Sequence, residues 1–251
     1  MRGLKGKCVL VTGGGSGIGR AICQRLGEEG ASVGILDMNL AGAQETAALV
    51  DQAGGKAGAY EVDIADRDAV LQAIEAWEQA GGPIDGLVNN AGWDKALSFL
   101  DSDPAFWRKV IDINLVGLLN VTHEVLGRMA KRGHGRIVSI ASDAGRVGSS
   151  GESVYSACKG GTIALSKTLA REMARTGITV NCVCPGPTDT PLLAGFDPTG
   201  KLKDALARAI PMRRLAQPSD YPGMVCFLLS DDAGFITGQT ISVSGGLTMA
   251  G

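Results

Sequence analysis

A short apolar run that opens into a glycine-dense turn does most to limit how this chain can fold. Residues 7–12 (Lys-Cys-Val-Leu-Val-Thr) are apolar and partly β-branched, which predicts a strand buried on both faces. The run enters Gly13-Gly14-Gly15-Ser16-Gly17-Ile18-Gly19, and helical spacing follows through Ile22 and Leu26. A second apolar strand, residues 32–37, ends on Asp37. Strand, glycine turn, helix and a strand closed by an acid make a unit suited to a dinucleotide. Bare backbone lets a pyrophosphate approach, and the helix start offers free N–H groups and a positive dipole end. Asp37 can accept hydrogen bonds from ribose hydroxyls and would repel a 2′-phosphate. Ser16, rather than a basic residue, precedes Gly17. The expected cofactor is therefore NAD and not NADP. The competing role for Asp37 is to cap the helix beginning near Asn39-Leu40-Ala41.

The same alternation continues along the chain. Residues 41–52 read as a helix and 56–63 as a strand ending on Asp63, with Ile64 next. A helix over 67–79 carries Trp77 on its apolar stripe, and a strand over 84–89 runs into Asn90-Ala91-Gly92. One long helix is expected over 106–131, with Asn114 inside its apolar run. That amide is either satisfied within the core or a polar group lining a water path. A strand over 136–142 closes on Ser142, and Tyr155 opens the next long helix. The strand over 178–184 is broken by Pro185-Gly186-Pro187. Residues 188–219, rich in Pro and Gly, read as an irregular lid-like segment. A helix over 221–230 and a strand over 238–244 complete the pattern. The expected fold class is α/β. It is a single-domain (1–251) Rossmann-type doubly wound parallel sheet with helices on both faces, binding ligands along its carboxyl edge.

Tyr155 and Lys159 lie one helical turn apart on the same face. A phenol ionises near pH ~10, too high for efficient proton transfer at neutrality, and a fixed ammonium beside it favours phenolate. The pair alone is a common coincidence. It gains weight because the glycine turn, Asp37, Asp63, Asn90, Ser142 and residues 185–190 converge on the same sheet edge from six strands.

Composition narrows the alternatives. A formal net charge of -2 implies no general attraction to nucleic acid or to an anionic membrane. Six scattered cysteines and only two histidines, His123 and His134, offer no metal-site spacing, so no metal is expected. The cysteines read as buried thiols. The N-terminal residues lack a signal-peptide core, and no apolar run is expected to reach the ~20 residues that span a bilayer. A cytoplasmic protein is the expectation.

Taken together, Thr12-Gly13-x-x-x-Gly17-x-Gly19, Asp63, Asn89-Asn90-Ala91-Gly92, Asn114, Ser142, Tyr155-x-x-x-Lys159, Pro185-Gly186, Thr188 and Thr190 resemble the short-chain dehydrogenase/reductases over nearly the whole chain. That resemblance implies Tyr155 as proton donor or acceptor and Ser142 as the group holding the reacting oxygen. It implies Lys159 on the nicotinamide ribose and Asn114 supporting a water relay. The implied cofactor set is Gly13, Ser16, Gly17, Ile18, Gly19, Asp37, Met38, Asp63, Ile64, Asn90, Ala91, Gly92, Tyr155, Lys159, Pro185, Gly186, Thr188 and Thr190. A homotetramer is also implied. Within the family, residues 90–94, 141–152 and 231–249 look most like 2-hydroxycyclohexane-1-carbonyl-CoA dehydrogenases. The implied substrate is then a cyclic β-hydroxyacyl-CoA, with Trp93, Ser142, Asp143 and Arg146 in contact with it. Trp93 would wall a ring pocket or pack against the lid. Arg146 would meet a thioester or CoA phosphate, or pair with Asp143 or Glu152. The alternatives are a 3-oxoacyl-thioester reductase, a dehydrogenase of a free cyclic alcohol, or a non-catalytic NAD-binding sensor or scaffold subunit.

Overall fold

Seven parallel strands pair side by side in the order β3-β2-β1-β4-β5-β6-β7. They are β1 (Cys8–Thr12), β2 (Ser32–Asp37), β3 (Lys56–Glu61), β4 (Gly86–Asn89), β5 (Gly135–Ile140), β6 (Ile178–Pro185) and β7 (Thr240–Val243). The computed structural model of the chain describes residues 1–190, 193 and 201–250. Helices α1 (Gly17–Glu28), α2 (Leu40–Gln52), α3 (Arg67–Gly81), α4 (Pro104–Ile111) and α5 (Gly117–Arg132) precede β5. A short α6 (Ala144–Val147) and the long α7 (Ser153–Met173) lie between β5 and β6. α8 (Lys201–Ala209) and α9 (Pro222–Leu229) lie between β6 and β7.

Side chains alternate across a strand, and here both sides of the sheet are covered. On β1, Val9 and Val11 join Ile22, Leu26, Val33, Ile35, Val225 and Leu228 in one core layer. Cys8 and Leu10 face the other way, into a layer with Ile74, Trp77, Val121, Val125, Met129 and Val180. All six cysteines are buried free thiols. The chain leaves β1 toward β2 and β3, then returns past β1 to β4, so its direction of growth reverses between β1 and β4. A crevice at that reversal, on the carboxyl side, is where such sheets hold ligands.

Three expectations need correction. The single helix over 106–131 is in fact α4 and α5, joined through a π-helical turn at Asp112–Val116. Apolar spacing is nearly unchanged by one wide turn, so the periodicity concealed it. The segment 188–219 is not wholly irregular. It contains α8, and Thr188 bridges to Ala216 in a parallel contact. Glycines and prolines flanking that short amphipathic stretch masked it. Pro191, Gly195, Pro198 and Gly200 lie outside the described residues. Finally, the run Pro104–Arg132 is long and apolar enough by length and composition to cross a membrane, contrary to the estimate from sequence. Its residues Val110, Val121, Val125 and Met129 are fully buried in the fold, so the apolarity is accounted for by core packing.

Candidate active site

The crevice between β1 and β4 is built from Thr12 and Asn90. The buried Thr12 hydroxyl accepts the backbone N–H groups of Asn90 and Ala91, each at 3.1 Å. The Asn90 amide donates back to the carbonyls of Thr12 at 3.1 Å and Gly13 at 2.8 Å. Four hydrogen bonds thus tie two non-consecutive strands at their carboxyl ends. The glycine turn then folds tightly over them: a Cβ on Gly19 would stand 2.1 Å from the Gly13 carbonyl oxygen. Gly17 is different. At φ +51°, a Cβ there would meet only Thr190, at 3.8 Å, so this glycine borders open space. Ser16 precedes α1 without capping it through its side chain, leaving the N–H groups of the first turn for an anion. Ile18 and Gly19 belong to that turn. The donors and the space suit a dinucleotide pyrophosphate.

Asp37 closes the adenosine side. Its Oδ2 accepts the Gly15 N–H at 2.8 Å and its Oδ1 the Asn39 N–H at 2.9 Å. The helix cap expected as the rival role belongs instead to Asn39, whose Oδ1 accepts the Gly42 N–H at 3.1 Å. Met38, beside it, is exposed. A cation unforeseen from the turn sequence also reaches this region: Arg20 bonds the Gly15 carbonyl at 2.5 Å. It is held there by Glu45 at 2.9 Å and Thr46 at 3.0 Å. Asp63 lies two residues beyond the end of β3, where its carboxylate accepts the Ala65 N–H at 2.9 Å. Ile64 is buried next to it.

The other half of the cleft is assembled by α7 and the π turn. Lys159 is 3% exposed, donates to the Ile140 carbonyl at 2.9 Å, and holds its ammonium 5.4 Å from the Tyr155 ring centroid. Burial pushes the Lys159 ammonium down to about 8. Burial also pushes the Tyr155 phenol up from its usual value, and the charges of Glu152 and Asp94 add to that effect. The Ser142 hydroxyl near the phenol opposes it. This corrects the expectation that Lys159 leaves Tyr155 with a lowered pKa: in the protein itself, desolvation outweighs the neighbouring ammonium. Ser142 stands two residues beyond β5 rather than on it, its Oγ accepting the Ala144 N–H at 3.1 Å.

Asn114 sits in the π turn and is fully satisfied. Its amide donates to the Trp93 carbonyl at 2.6 Å and the Val110 carbonyl at 2.9 Å, and its Oδ1 accepts the Trp93 N–H at 3.3 Å. It therefore clamps the loop after β4. A Cβ on Gly92 would stand 2.9 Å from Asn114 Oδ1 and 3.4 Å from Lys159 Nζ, which places Gly92 against both. The Trp93 ring lies edge-on to Phe106, with Lys109 Nζ 4.0 Å from its centroid. Thr188 hydrogen-bonds the Tyr221 hydroxyl at 2.6 Å and the Gly186 carbonyl at 2.8 Å, while Pro185 ends β6.

Asp143 and Arg146 face elsewhere. Ser242 donates to Asp143, and Arg146 bonds Ser242 at 2.8 Å, the Thr240 carbonyl at 3.3 Å and the Ala250 carbonyl. The expected thioester or phosphate donor is thus engaged with β7 and the chain end, and neither expected ion pair of Arg146, to Asp143 or to Glu152, forms. In the segment after β6, Lys203 meets Asp189 at 2.5 Å and Arg214 meets Asp220 at 2.6 Å, so both of these cations are paired.

Besides Arg20, two residues of this site escaped the sequence reading. Tyr221 looked like an apolar helix residue; it is 0% exposed, with its hydroxyl on Thr188. Asp94 is buried in the cleft loop directly after Trp93, where an acid following Asn-Ala-Gly-Trp was the available signal.

Fold and site together define a nicotinamide-dependent oxidoreductase. The chain belongs to the short-chain dehydrogenase/reductase family: residues 13–248 match the family described as enoyl-(acyl carrier protein) reductase. Among curated relatives, the acetoacetyl-CoA reductase of Rhizobium meliloti is 42% identical over 240 residues, covering 96% of this chain and 98% of the relative. The actinorhodin polyketide ketoreductase solved with NADPH superposes with a TM-score of 0.93 at 36% identity, over 98% of this chain and 99% of that one. A 3-oxoacyl-(acyl-carrier protein) reductase from Brucella melitensis solved with NAD gives 0.90 at 36% identity, over 98% and 92%. By this family membership the chain is an oxidoreductase.

Proposed function

We propose that this protein is an NAD-dependent dehydrogenase that oxidises a β-hydroxyacyl-CoA to the β-oxoacyl-CoA, with a cyclic substrate such as 2-hydroxycyclohexane-1-carbonyl-CoA. The observation carrying the reading is Tyr155, Lys159 and Ser142 gathered beside Gly92 at the carboxyl edge, across from the glycine turn. Asp37 supports NAD: a 2′-phosphate would meet its carboxylate, and the nearby Arg20 is already engaged by Glu45. Thr188, Thr190, Pro185 and Gly186 would hold the carboxamide side, and Asp63, Ile64, Asn90 and Ala91 the adenine side. The bound nicotinamide supplies the hydride acceptor and a positive charge.

Ser142 holds the carbinol oxygen, and Tyr155 takes its proton. For that, the half-buried Tyr155 must reach phenolate, which desolvation resists; Lys159 beside it, with the positive charge a bound nicotinamide would bring, favours ionisation. Trp93, fixed by Phe106 and Lys109, offers a flat apolar wall for a ring. Reductase names among the relatives support a second reading, reduction of a 3-oxoacyl thioester at the same residues. A cytoplasmic homotetramer acting on a small acyl-CoA, with no nucleic-acid or membrane partner, completes the proposal.

The test is a panel of β-hydroxyacyl-CoAs, their free acids and cyclic alcohols, each with NAD and NADP, followed by absorbance of the reduced cofactor. NAD reduction with a cyclic β-hydroxyacyl-CoA supports the proposal. Turnover only of oxoacyl thioesters with NADPH replaces it by the second reading. No turnover in any arm returns the chain to a binding role.

A further inference from the structure

Asp94 is 4% exposed, and its Oδ2 finds no hydrogen-bond partner among the described residues. A carboxylate oxygen in such a place loses water without recovering a donor of its own, an arrangement that proteins rarely keep without a use. Its loop is fixed from two sides. Asn114 grips the backbone of Trp93, and Leu97 donates to the Gly151 carbonyl at 2.8 Å, next to Glu152 at the start of α7. Asp94 is thereby held between the π turn and the helix that carries Tyr155. Its charge acts on Tyr155, Lys159 and Cys158 of that helix. None of the ion pairs between described residues includes it, and Lys159, the ammonium whose charge acts on it, donates to Ile140 instead.

We infer that Asp94 is a charge filter on the substrate side of Tyr155, admitting a neutral acyl thioester next to the reacting carbinol and turning away the free carboxylate of the same hydroxy acid. The inference rests on the proposed oxidation of a β-hydroxyacyl thioester and assigns its carrier group. In a β-hydroxy acid the carboxyl carbon is two bonds from the carbinol carbon, so a substrate seated on Ser142 and Tyr155 brings that group to the wall beside them. A carboxylate there meets a like charge in a site of low dielectric, whereas a thioester carries none. Burial lifts the Asp94 carboxyl to about 6, opposed by the Lys95 backbone N–H and by Lys159 and reinforced by Glu152. The filter is therefore charged at neutral pH and weakens as the solution becomes mildly acidic.

The experiment compares wild type with D94N, using NAD, a β-hydroxyacyl-CoA and the corresponding free acid. The ratio of kcat/KM for the acid to that for the thioester should rise about a hundredfold in D94N, the size expected for relief of one close like-charge contact. A ratio within about threefold of wild type overturns the inference. Wild type inactive on thioester and acid alike would overturn the proposed function instead, so the two failures are distinct. A second measurement is inhibition of thioester oxidation by a β-hydroxy sulfonate, ionised throughout, in wild type and in D94N. The groups around Asp94 are Glu152 just before α7, Tyr155, Cys158 and Lys159 on α7, and Lys95 in its own loop. The Lys159 ammonium, pushed down to about 8, also gains charge over this range, so the filter is read from the difference between the two proteins. Between pH 8 and pH 6 the Ki should tighten about tenfold more in wild type than in D94N. Equal pH dependence in the two proteins overturns the inference.

Discussion

The two halves of the cleft are built on opposite principles. On the adenosine side, every polar group that shapes the crevice is paired: Thr12 takes two N–H groups, Asn90 returns two bonds, and each Asp37 oxygen accepts one. On the reactive side, charge is buried with little compensation. Lys159 has one hydrogen bond in the interior, Tyr155 is pushed toward its neutral form, and one oxygen of Asp94 has no partner. The first half gains rigidity, since a satisfied buried network has one low-energy arrangement. The second holds groups whose ionisation a ligand can change, which is what proton transfer needs. Asn114, fully bonded within the π turn, and the Thr188–Tyr221 hydrogen bond bring the first kind of construction into the second half.

Substitutions can break this contrast, and the largest effect should come from the phenol. Y155F should reduce turnover by about 10³-fold or more while NAD affinity, followed by fluorescence quenching, changes by less than about threefold. Equal losses in both would show that Tyr155 shapes the pocket rather than moving a proton. Next is T12V, which leaves two half-buried N–H groups without an acceptor and should cost roughly 1–3 kcal/mol in denaturant unfolding. A cost below about 0.5 kcal/mol would mean the crevice is not held as described.

D94N tests the other side by its sign. An acid whose folded pKa lies above its unfolded value contributes stability only at low pH and loses it as pH rises through about 6. Removing the charge should therefore stabilise the protein at pH 7.5, by up to about 2 kcal/mol, with the gain disappearing below pH ~4. Thermal midpoints across that range check it, and destabilisation at pH 7.5 would show that Asp94 has a partner in solution. D37A should weaken NAD about tenfold and relax discrimination against NADP, as read from KM values for both cofactors. The smallest effect belongs to Y221F. Loss of the hydrogen bond to Thr188 should cost about 1 kcal/mol and raise the cofactor KM a few-fold.

The sequence alone was sufficient for the parallel αβ alternation, because strands buried on both faces and amphipathic helices leave distinct periods. It was also sufficient for the glycine turn, Asp37, Asn90 and the Tyr155–Lys159 pair, whose spacing is local. It did not reveal the π turn around Asn114, since one widened turn barely disturbs apolar spacing. Nor did it show where Arg146 points. A guanidinium near Ser142 in sequence reaches Ser242 and Ala250 only because β7 lies beside β6. Tertiary structure likewise decided the state of Tyr155. The ammonium one turn away predicts a lowered pKa, but burial acts on the whole side chain and prevails over a single neighbour. Asp94 carries the same lesson. As a letter it is an acid after a tryptophan, and only the packing of its loop between Asn114 and Gly151 leaves it buried with one oxygen unpartnered. Residue spacing along one element is written in the chain; desolvation and the pairing of distant groups depend on what the fold brings around them.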